Sequence, residues 1–432
     1  MPHKLTTSDT DFEARFAALL AMKRESSPDV DAAVRAIITD VIARGDDALI
    51  ELTRKFDRLE LAPATIRVNA AEIERAYEQS DAAVIAALKT AHDRILAYHE
   101  RQKPTDAQYT DAIGAELGHR WTAVESVGLY VPGGLASYPS SVLMNAIPAK
   151  VAGVPRIAMV VPSPGGELNP LVLAAARIAG ITEIYRVGGA QAIAALAYGT
   201  KSIAPVAKIV GPGNAYVAAA KRQVFGIVGI DSIAGPSEVL VIADADNDPE
   251  WIAADLLAQA EHDVAAQSIL MTDSAQFAAE VEEAVARQLR TLPRGNIAGE
   301  SWNEFGAVIL LKDFDQAPPL ADRIAAEHLE IATRDPDALA ARIRNAGAIF
   351  LGALTPEVIG DYVAGSNHVL PTARSARFSS GLGVLDFMKR TSLLRLNTSA
   401  LEHLSDAAMT LAEAEGLQAH RRSVEIRRSR NR

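Results

Sequence analysis

Four short stretches of the sequence bring together side chains that bind metals or transfer protons. They are QAEHD with Gln259 and His262, AEHLE with Glu327 and His328, GDYVAGSNH with Asp361 and His368, and AEGLQAH with Glu415 and His420. The 432 residues contain no cysteine. Nitrogen and oxygen ligands without thiolate are typical of a borderline-to-hard divalent metal used for catalysis, rather than of a structural zinc site built on cysteine. The sequence therefore predicts a metal-dependent enzyme.

Gln259 and His262 lie three residues apart in the amphipathic stretch WIAADLLAQAEH. In a helix, that spacing places both side chains on one face. A single histidine beside a glutamine is commonly a surface or core residue, but the three other stretches supply groups of the same kind. Catalytic metal sites use about three protein ligands and leave positions open for substrate. Such a site is predicted here, and zinc, manganese and cobalt all suit its ligands.

A glycine-rich turn is the second candidate for ligand binding. The apolar run AKIVG leads into GPGNAYV, which places Gly211, Gly213 and Asn214 where a strand passes into a helix. Backbone N–H groups at such a turn favour an anion such as the pyrophosphate of a dinucleotide. The G-x-G-x-x-G pattern is incomplete because Tyr216 occupies its third glycine position, and Asp231 lies near the distance expected of a ribose-binding acid. Dinucleotide binding and simple turn glycines both remain open, as they do for the pairs at 133–134 and 188–189.

Strand-like and helix-like segments alternate through most of the chain. After residue 130 the compact apolar runs RIAMVVP, ITEIYRV, AKIVG and EVLVIAD are separated by alanine-rich helical segments, and the alternation resumes after residue 251 with QSILMTD, GAVILLKDF and AIFLG. This pattern predicts an α/β fold with two parallel sheets covered by helices. Helical spacing over residues 10–21 and 31–56 predicts a helical beginning, and the part from about residue 379 is predicted to hold helices without strands. The predicted domains are an arm (1–26), a catalytic domain (27–129 with 238–378), a nucleotide domain (130–237) and a C-terminal extension (379–432).

Composition and charge narrow the class of function. Hydrophobic residues make up 49% of the chain, and the formal net charge is −11. This charge disfavours binding to nucleic acid or anionic membranes, with the arginine-rich end at 421–432 as a local exception. The N-terminal segment carries acidic residues and no apolar core of a signal peptide, which favours the cytoplasm. The charge-free run at 126–149 is interrupted by proline and glycine, so it is predicted to be a loop-rich binding segment rather than a membrane span.

Taken together, the motifs resemble those of the histidinol dehydrogenase family over nearly the whole chain. They are VGLYVPGG, VGGAQAIAALAYGT, KIVGPGNAYV, AGPSEVLVIAD, DLLAQAEHD, AEHLE, GDYVAGSNHVLPT and AEGLQAH, in the order in which the family has them. The resemblance implies two incomplete Rossmann-like domains and an intertwined homodimer. It also implies a zinc enzyme that oxidises L-histidinol through L-histidinal to L-histidine with two NAD.

The resemblance also implies roles for individual residues. The implied metal ligands are Gln259, His262, Asp361 and His420, with His420 supplied by the partner subunit. The implied nucleotide contacts are Tyr130, Gln191 and Asn214. The implied substrate contacts are Ser237, Gln259, His262, His328, Asp361, Glu415 and His420. Glu327 and His328 are the implied catalytic pair.

Physical chemistry agrees with those roles. Removing hydride from an alcohol requires a base for the hydroxyl proton. A histidine that titrates near neutrality suits this task, so His328 is expected to be the base. The aldehyde must be hydrated before a second hydride can leave, and Glu327 is expected to activate that water. The metal is expected to orient the substrate, while Glu415 pairs with its amine. His368 is expected to support the site rather than to bind the metal.

Three alternatives remain at this stage. A relative with the same machinery would oxidise another primary alcohol with NAD. A zinc hydrolase would use the same side chains to activate water without a dinucleotide. A non-catalytic metal-binding or nucleotide-binding protein of the same fold is the third, because fold alone does not fix function.

Overall fold

The computed structural model describes residues 1–22, 28–133, 138–233 and 235–429. Within them the chain forms two compact units, the first from residues 1–102 and 125–387 and the second from residues 103–124 and 388–429. The last residues of the arginine-rich end, 430–432, lie outside the described part. Among the described residues, no helix combines the length and the apolar character that crossing a membrane requires.

The first unit contains a parallel sheet of five strands in the order β6-β5-β4-β7-β8. The strands are β4 (Ser126–Tyr130), β5 (Arg156–Val160), β6 (Glu183–Tyr185), β7 (Lys208–Val210) and β8 (Gly229–Ile230). One buried core joins this sheet to four helices: α2 (Pro28–Arg44), α3 (Asp46–Asp57), α8 (Gly189–Tyr198) and α9 (Ala215–Val224). Four more helices pack among themselves in the same unit: α4 (Ala70–Gln79), α5 (Ala82–Glu100), α6 (Pro139–Ala152) and α7 (Pro170–Ile178).

The second sheet of this unit has six parallel strands in the order β1-β11-β10-β9-β12-β13. They are β1 (His3–Thr6), β9 (Glu238–Ala243), β10 (Gln267–Thr272), β11 (Ala307–Leu310), β12 (His328–Ala332) and β13 (Ala348–Leu351). Buried side chains on one face pack against α1 (Phe12–Leu20), α13 (Ala317–Ile324) and α14 (Pro336–Ala340). The other face packs against α10 (Pro249–Ala260), α11 (Ala275–Gln288) and α12 (Gly295–Glu304).

The alternation of side chains along β12 determines which residues face α10. Leu329 and Ile331 belong to the core with α1 and α13, whereas Ala332 belongs to the core with α10. Because successive side chains of a strand point to opposite faces, His328 and Glu330 lie on the α10 side. The predicted catalytic histidine is therefore directed towards α10.

The second unit has a three-stranded antiparallel sheet in the order β14-β3-β2. Its elements are β2 (Ala107–Thr110), β3 (Glu116–Ala123), β14 (Met388–Arg395), α16 (Thr398–Ala414) and α17 (Gln418–Ser429). The prediction that the C-terminal part holds no strand is therefore wrong. Most of β14 is exposed, so its sequence lacks the buried apolar run that marked the strands of the parallel sheets.

The α/β class with two parallel sheets is confirmed, while three local predictions differ from the structure. The predicted long helix at 31–56 is divided into α2 and α3 at Gly45, whose φ of 59° is left-handed. The predicted loop-rich segment contains the buried helix α6, which begins at Pro139. Proline is compatible with this position because the first turn of a helix does not use the backbone N–H that proline lacks. The helical beginning is preceded by β1, whose four residues are too few to show periodicity.

Candidate active site

His328 is the first residue of β12, and its side chain is buried. Its Nδ1 lies 3.2 Å from the carbonyl oxygen of Glu238 and 3.5 Å from Oε2 of Glu357, while its Nε2 lies 3.2 Å from Oδ1 of Asp361. A carbonyl and the ionised Asp361 carboxylate only accept, so these contacts favour the imidazolium form of the ring. Burial opposes this charge, but the carboxylates of Glu357, Glu327 and Asp361 outweigh burial and raise the pKa of His328 well above 6.5. This differs from the expectation of a histidine that titrates near neutrality.

Glu327 precedes the same strand and is also buried. Its Oε2 accepts a hydrogen bond from the backbone N–H of Glu238 at 3.1 Å. The backbone of Glu238 therefore donates to one member of the predicted catalytic pair and accepts from the other. Burial raises the pKa of Glu327 to about 7 against the opposing effect of His328, so this carboxyl titrates near neutrality and can hold or release a proton there.

Asp361 lies in a π-helical turn, Gly360–Ala364, which continues α15 (Glu357–Ile359). Its carbonyl accepts from Nδ1 of His368 at 2.9 Å, and Nε2 of His368 lies 3.1 Å from the hydroxyl of Ser141. Both ring nitrogens of His368 are thus engaged, as expected of a residue that supports the site. Burial would raise the pKa of Asp361, but the hydrogen bond from His328 lowers it below 3.8. Ser141 of α6 therefore lies beside the site.

Gln259 is 1% exposed on α10, and neither of its amide atoms has a hydrogen-bond partner among the described residues. A buried amide with both atoms unpartnered is rare in folded proteins and is a position where an ion or a ligand group completes the bonding. The helix ends at Ala260, so His262 lies just beyond it and not within it as predicted. The hydrogen bond from its N–H to the carbonyl of Gln259, at 3.2 Å, keeps the two residues close.

This donor set fits the implied divalent metal. Zinc, manganese and cobalt accept ligands of three kinds that are present here. They are the unpartnered amide oxygen of Gln259, the exposed imidazole of His262 and the carboxylate of Asp361. Across the described parts of this single chain, no three His, Asp or Glu side chains are grouped closely enough to hold a metal. The Asp361 carboxylate is bonded to His328 here.

Ser237 lies directly before β9 and lines a small cavity of about 60 Å³. The cavity is bounded on one side by Glu327 and His368 and on another by Gly211 and Asp231. Water and small polar groups fit in a space of this size. The predicted catalytic carboxyl and the predicted glycine-rich turn thus face one cavity.

The predicted nucleotide contacts lie near the carboxyl edge of the five-stranded sheet. Tyr130 ends β4, and its buried hydroxyl accepts from the N–H of Gly189 at 3.1 Å. Gln191 is buried in α8, and the side chain of Asn214 caps α9 by accepting from two backbone N–H groups. Gly211 follows β7 with a φ of 113°, and a side chain there would collide with the carbonyl of Tyr130. Gly134 lies outside the described residues.

Strand order gives this edge its significance. The chain proceeds from β4 outwards to β5 and β6 and then returns to the other side of β4 with β7. The carboxyl ends of β4 and β7 therefore flank a topological switch point, where ligands bind in open α/β sheets. The arrangement supports a nucleotide site and weakens the reading of these glycines as simple turn residues.

Asp231, in contrast, is engaged inside the protein. Its Oδ2 accepts from the N–H of Gly211 at 2.7 Å, and its other oxygen forms an ion pair with Lys221, whose Nζ also donates to the carbonyl of Gly211 at 3.0 Å. The side chains of Lys221 and Asp231 are 2% and 5% exposed. Asp231 therefore holds the loop backbone and is not the ribose-binding acid that its spacing suggested.

Glu415 and His420 lie in the second unit. Glu415 is the C-cap of α16, His420 lies in α17, and both residues are exposed. Their expected contribution to a partner's site stays a prediction. Glu238, Glu357 and Glu330 received no role from the sequence, although Glu238 and Glu330 stand within the motifs AGPSEVLVIAD and AEHLE. Their contacts are with residues distant in the chain, which no local pattern indicates.

Two parallel α/β sheets, a switch-point turn on one and a buried histidine–carboxylate cluster on the other define an α/β enzyme. The sequence model of the histidinol dehydrogenase family matches residues 20–428. The chain belongs to the histidinol dehydrogenase family.

Individual relatives agree with this assignment. The histidinol dehydrogenase of Bradyrhizobium diazoefficiens is 70% identical over 427 residues, covering 99% of both chains. That of Brucella abortus is 68% identical over 423 residues, covering 98% of both chains. A crystal structure of histidinol dehydrogenase from Elizabethkingia anophelis superposes with a TM-score of 0.95 at 35% identity, covering 100% of this chain and 99% of that one.

Replacing Asp231 by Asn is expected to lower the free energy of unfolding by about 3 to 5 kcal/mol, because it leaves the buried Lys221 without its counter-charge. The double variant Lys221→Met, Asp231→Leu removes both charges and should recover much of that loss. Urea unfolding of the three proteins measures the effect. A single variant with unchanged stability but weakened NAD binding would contradict the structural role and restore the ribose contact.

Proposed function

We propose that the protein oxidises L-histidinol through L-histidinal to L-histidine, with two NAD and a bound zinc ion. The observation that carries the proposal is the buried pair Glu327 and His328, both held by the backbone of Glu238 beside Asp361. A base and a second, water-activating carboxyl are what a four-electron oxidation of an alcohol needs. The relatives named as histidinol dehydrogenases support the choice of substrate.

His328 would take the hydroxyl proton in the first oxidation. In the described structure its Nε2 donates to Asp361, so it must be released and deprotonated before it can act as a base. A metal held in part by Asp361 would offset the negative charge of this carboxylate, which favours the imidazolium. His328 in its neutral form would then accept the hydroxyl proton.

Glu327 would act in the second oxidation. The aldehyde must gain water to form a hydrate, and an ionised carboxylate accepts the proton that the attacking water loses. A pKa raised to about 7 by burial keeps both forms of Glu327 populated near neutrality. The cavity beside Glu327, about 60 Å³, is large enough to hold that water.

The implied cofactors have matching donors. Gln259, His262 and Asp361, with His420 from a second copy of the chain, would hold zinc, and Glu415 would pair with the substrate amine. Zinc so held would supply orientation by binding the substrate imidazole and amine. Tyr130, Gln191 and Asn214 at the switch point would contact NAD, the hydride acceptor. The homodimer and the cytoplasmic location stay predictions.

Incubation with L-histidinol and NAD is expected to yield two NADH per histidinol consumed. A chelator should abolish the reaction, and zinc should restore it. Absorbance of NADH and chromatography of histidine measure the ratio. No NADH from histidinol by the zinc-loaded protein would contradict the substrate, and turnover of a different primary alcohol would then favour the alternative relative.

Replacing Glu327 by Gln should slow oxidation of added L-histidinal by about 10²- to 10⁴-fold, the usual contribution of a positioned acid or base. The first oxidation of L-histidinol should be slowed less, because His328 is still present. Single-turnover NADH formation from each substrate separates the two steps. Glu300→Gln, an exposed carboxyl elsewhere in the first unit, serves as the control. Equal losses in both steps would count against a water-activating role.

Replacing His420 by Asn should weaken zinc binding by more than the roughly 10- to 100-fold typical of losing a residue that only supports a ligand. Competition with a chromophoric chelator measures the dissociation constant. His403→Asn is the matched control, since His403 is exposed on α16 of the same unit. Unchanged zinc affinity in His420→Asn would remove His420 from the ligand set.

A further inference from the structure

Another buried carboxyl, Glu330, lies on the same side of β12 as His328 and takes no part in the proposed reaction. It is 4% exposed. Two residues along a strand separate the side chains by one pleat repeat, so Glu330 lies next to His328 on the face that packs against α10. A buried charge-bearing group needs partners, and the partners of Glu330 belong to other segments of the site.

The first partner is the backbone N–H of Glu357, which donates to Oε1 of Glu330 at 2.6 Å. Glu357 is the first residue of α15, which runs directly into the π-helical turn with Asp361. The side chain of Glu357 in turn reaches to 3.5 Å from Nδ1 of His328. Glu330 therefore anchors the segment that presents Asp361.

The second partner is Asp255, whose carboxyl lies close enough to that of Glu330 to raise the pKa of Glu330 through its charge and within hydrogen-bonding reach. Asp255 lies on α10, four residues before Gln259. Residues four apart in a helix lie one above the other on the same face. Glu330 is therefore joined to the helix that presents Gln259, one turn away from it.

Two carboxyl groups can share a hydrogen bond only if one of them carries a proton. Burial, followed by the charges of Asp255 and Glu357, raises the pKa of Glu330 to about 9. The neighbours of Glu330 across the sheet, Val241 and Phe350, are apolar. The titratable groups around it are thus Asp255 from α10, Glu357 from α15 and His328 from its own strand.

We propose that Glu330, in its protonated form, is a positioning residue that ties α10, β12 and α15 together and so sets Gln259 and Asp361 around His328. Oε1 of Glu330 accepts from the start of α15, and the carboxyl proton is donated to Asp255. The three segments are far apart in sequence. Glu330 on β12 bonds to both α10 and α15. The inference rests on the proposed function in that it takes Gln259 and Asp361 as metal ligands.

Glu330→Gln and Glu330→Leu test the proposal. Glutamine keeps an acceptor for the N–H of Glu357 and a donor for Asp255, whereas leucine keeps similar volume and loses both bonds. Zinc affinity measured by chelator competition should be unchanged within about 3-fold in the glutamine variant. It should fall by about 10- to 100-fold in the leucine variant, as when a partner that orients metal ligands is removed. Ile331→Val, on the opposite face of β12, controls for simple loss of packing and should keep full zinc affinity.

Stability of the metal-free protein gives a readout independent of activity. A carboxyl whose pKa rises from 4.5 to about 9 on folding favours the folded state below pH 4.5, and this contribution is lost as the pH rises towards 9. Glutamine does not titrate. The unfolding temperature of Glu330→Gln relative to wild type should therefore increase steadily from pH 5 to pH 9, and this comparison does not require the leucine variant to fold.

Several results would overturn the proposal. A pH-independent difference in unfolding temperature would mean that Glu330 is not held protonated. Loss of zinc affinity in the glutamine variant equal to that in the leucine variant would exclude positioning through this bonding pattern. Loss of turnover in the glutamine variant with intact zinc affinity would make Glu330 a proton carrier instead. If wild type does not oxidise histidinol while the zinc and stability patterns hold, the proposed function fails and the positioning role stands.

Discussion

In the six-stranded sheet, β12 pairs with β9 so that His328 lies beside Val239. This register brings the N–H of Glu238 to the carboxyl of Glu327 and its carbonyl to the ring of His328. A slip of one residue would turn the side chain of His328 to the opposite face of the sheet. The positions of the predicted catalytic pair are therefore set by the pairing of two buried strands.

That pairing brings several carboxyl groups together around one buried histidine. Glu327, Glu357 and Asp361 surround one imidazolium, and burial raises the pKa of Glu357 to about 8. The C-terminal end of α10 also lies here with Gln259, and the partial negative charge of a helix C-terminus adds to the field. The local potential favours a cation, in agreement with the predicted metal ligands and with the unpartnered amide of Gln259.

Much of the fold could be predicted because strands of parallel sheets, buried on both faces, appear as continuous apolar runs. The strands β5, β6, β7, β9 and β10 and the helices between them follow from such runs. The exposed β14 has no comparable pattern. The prolines of α6 led to the prediction of a loop, although Pro139 occupies only the first turn of the helix. At the site, residue types indicated Glu327, His328, Gln259 and Asp361 as candidates.

What sequence could not give is proximity between distant residues. The contact of Glu238 with Glu327 spans 89 positions and depends on strand order, which no local pattern encodes. The same holds for Glu357 and Glu330, whose importance lies entirely in their neighbours. Asp231 is a case of the reverse kind. Its spacing from the glycine-rich turn suggested a ribose contact, but its carboxylate binds the N–H of Gly211 and Lys221 inside the protein.

The chemistry of the six-stranded sheet lies at its amino edge, where β9 and β12 begin and α10 ends. The opposite edge, with loops such as 244–248 and 333–335, holds none of the candidate catalytic groups. These loops carry structural bonds instead, since the carboxylate of Asp244 accepts from the N–H of Arg334 and the amide of Asn247 donates to the carbonyl of Ala332. The two edges of this sheet therefore differ in kind: a substitution at the amino edge would change a proton-transferring group, whereas a substitution in these loops would change the bonds that join the ends of β9 and β12.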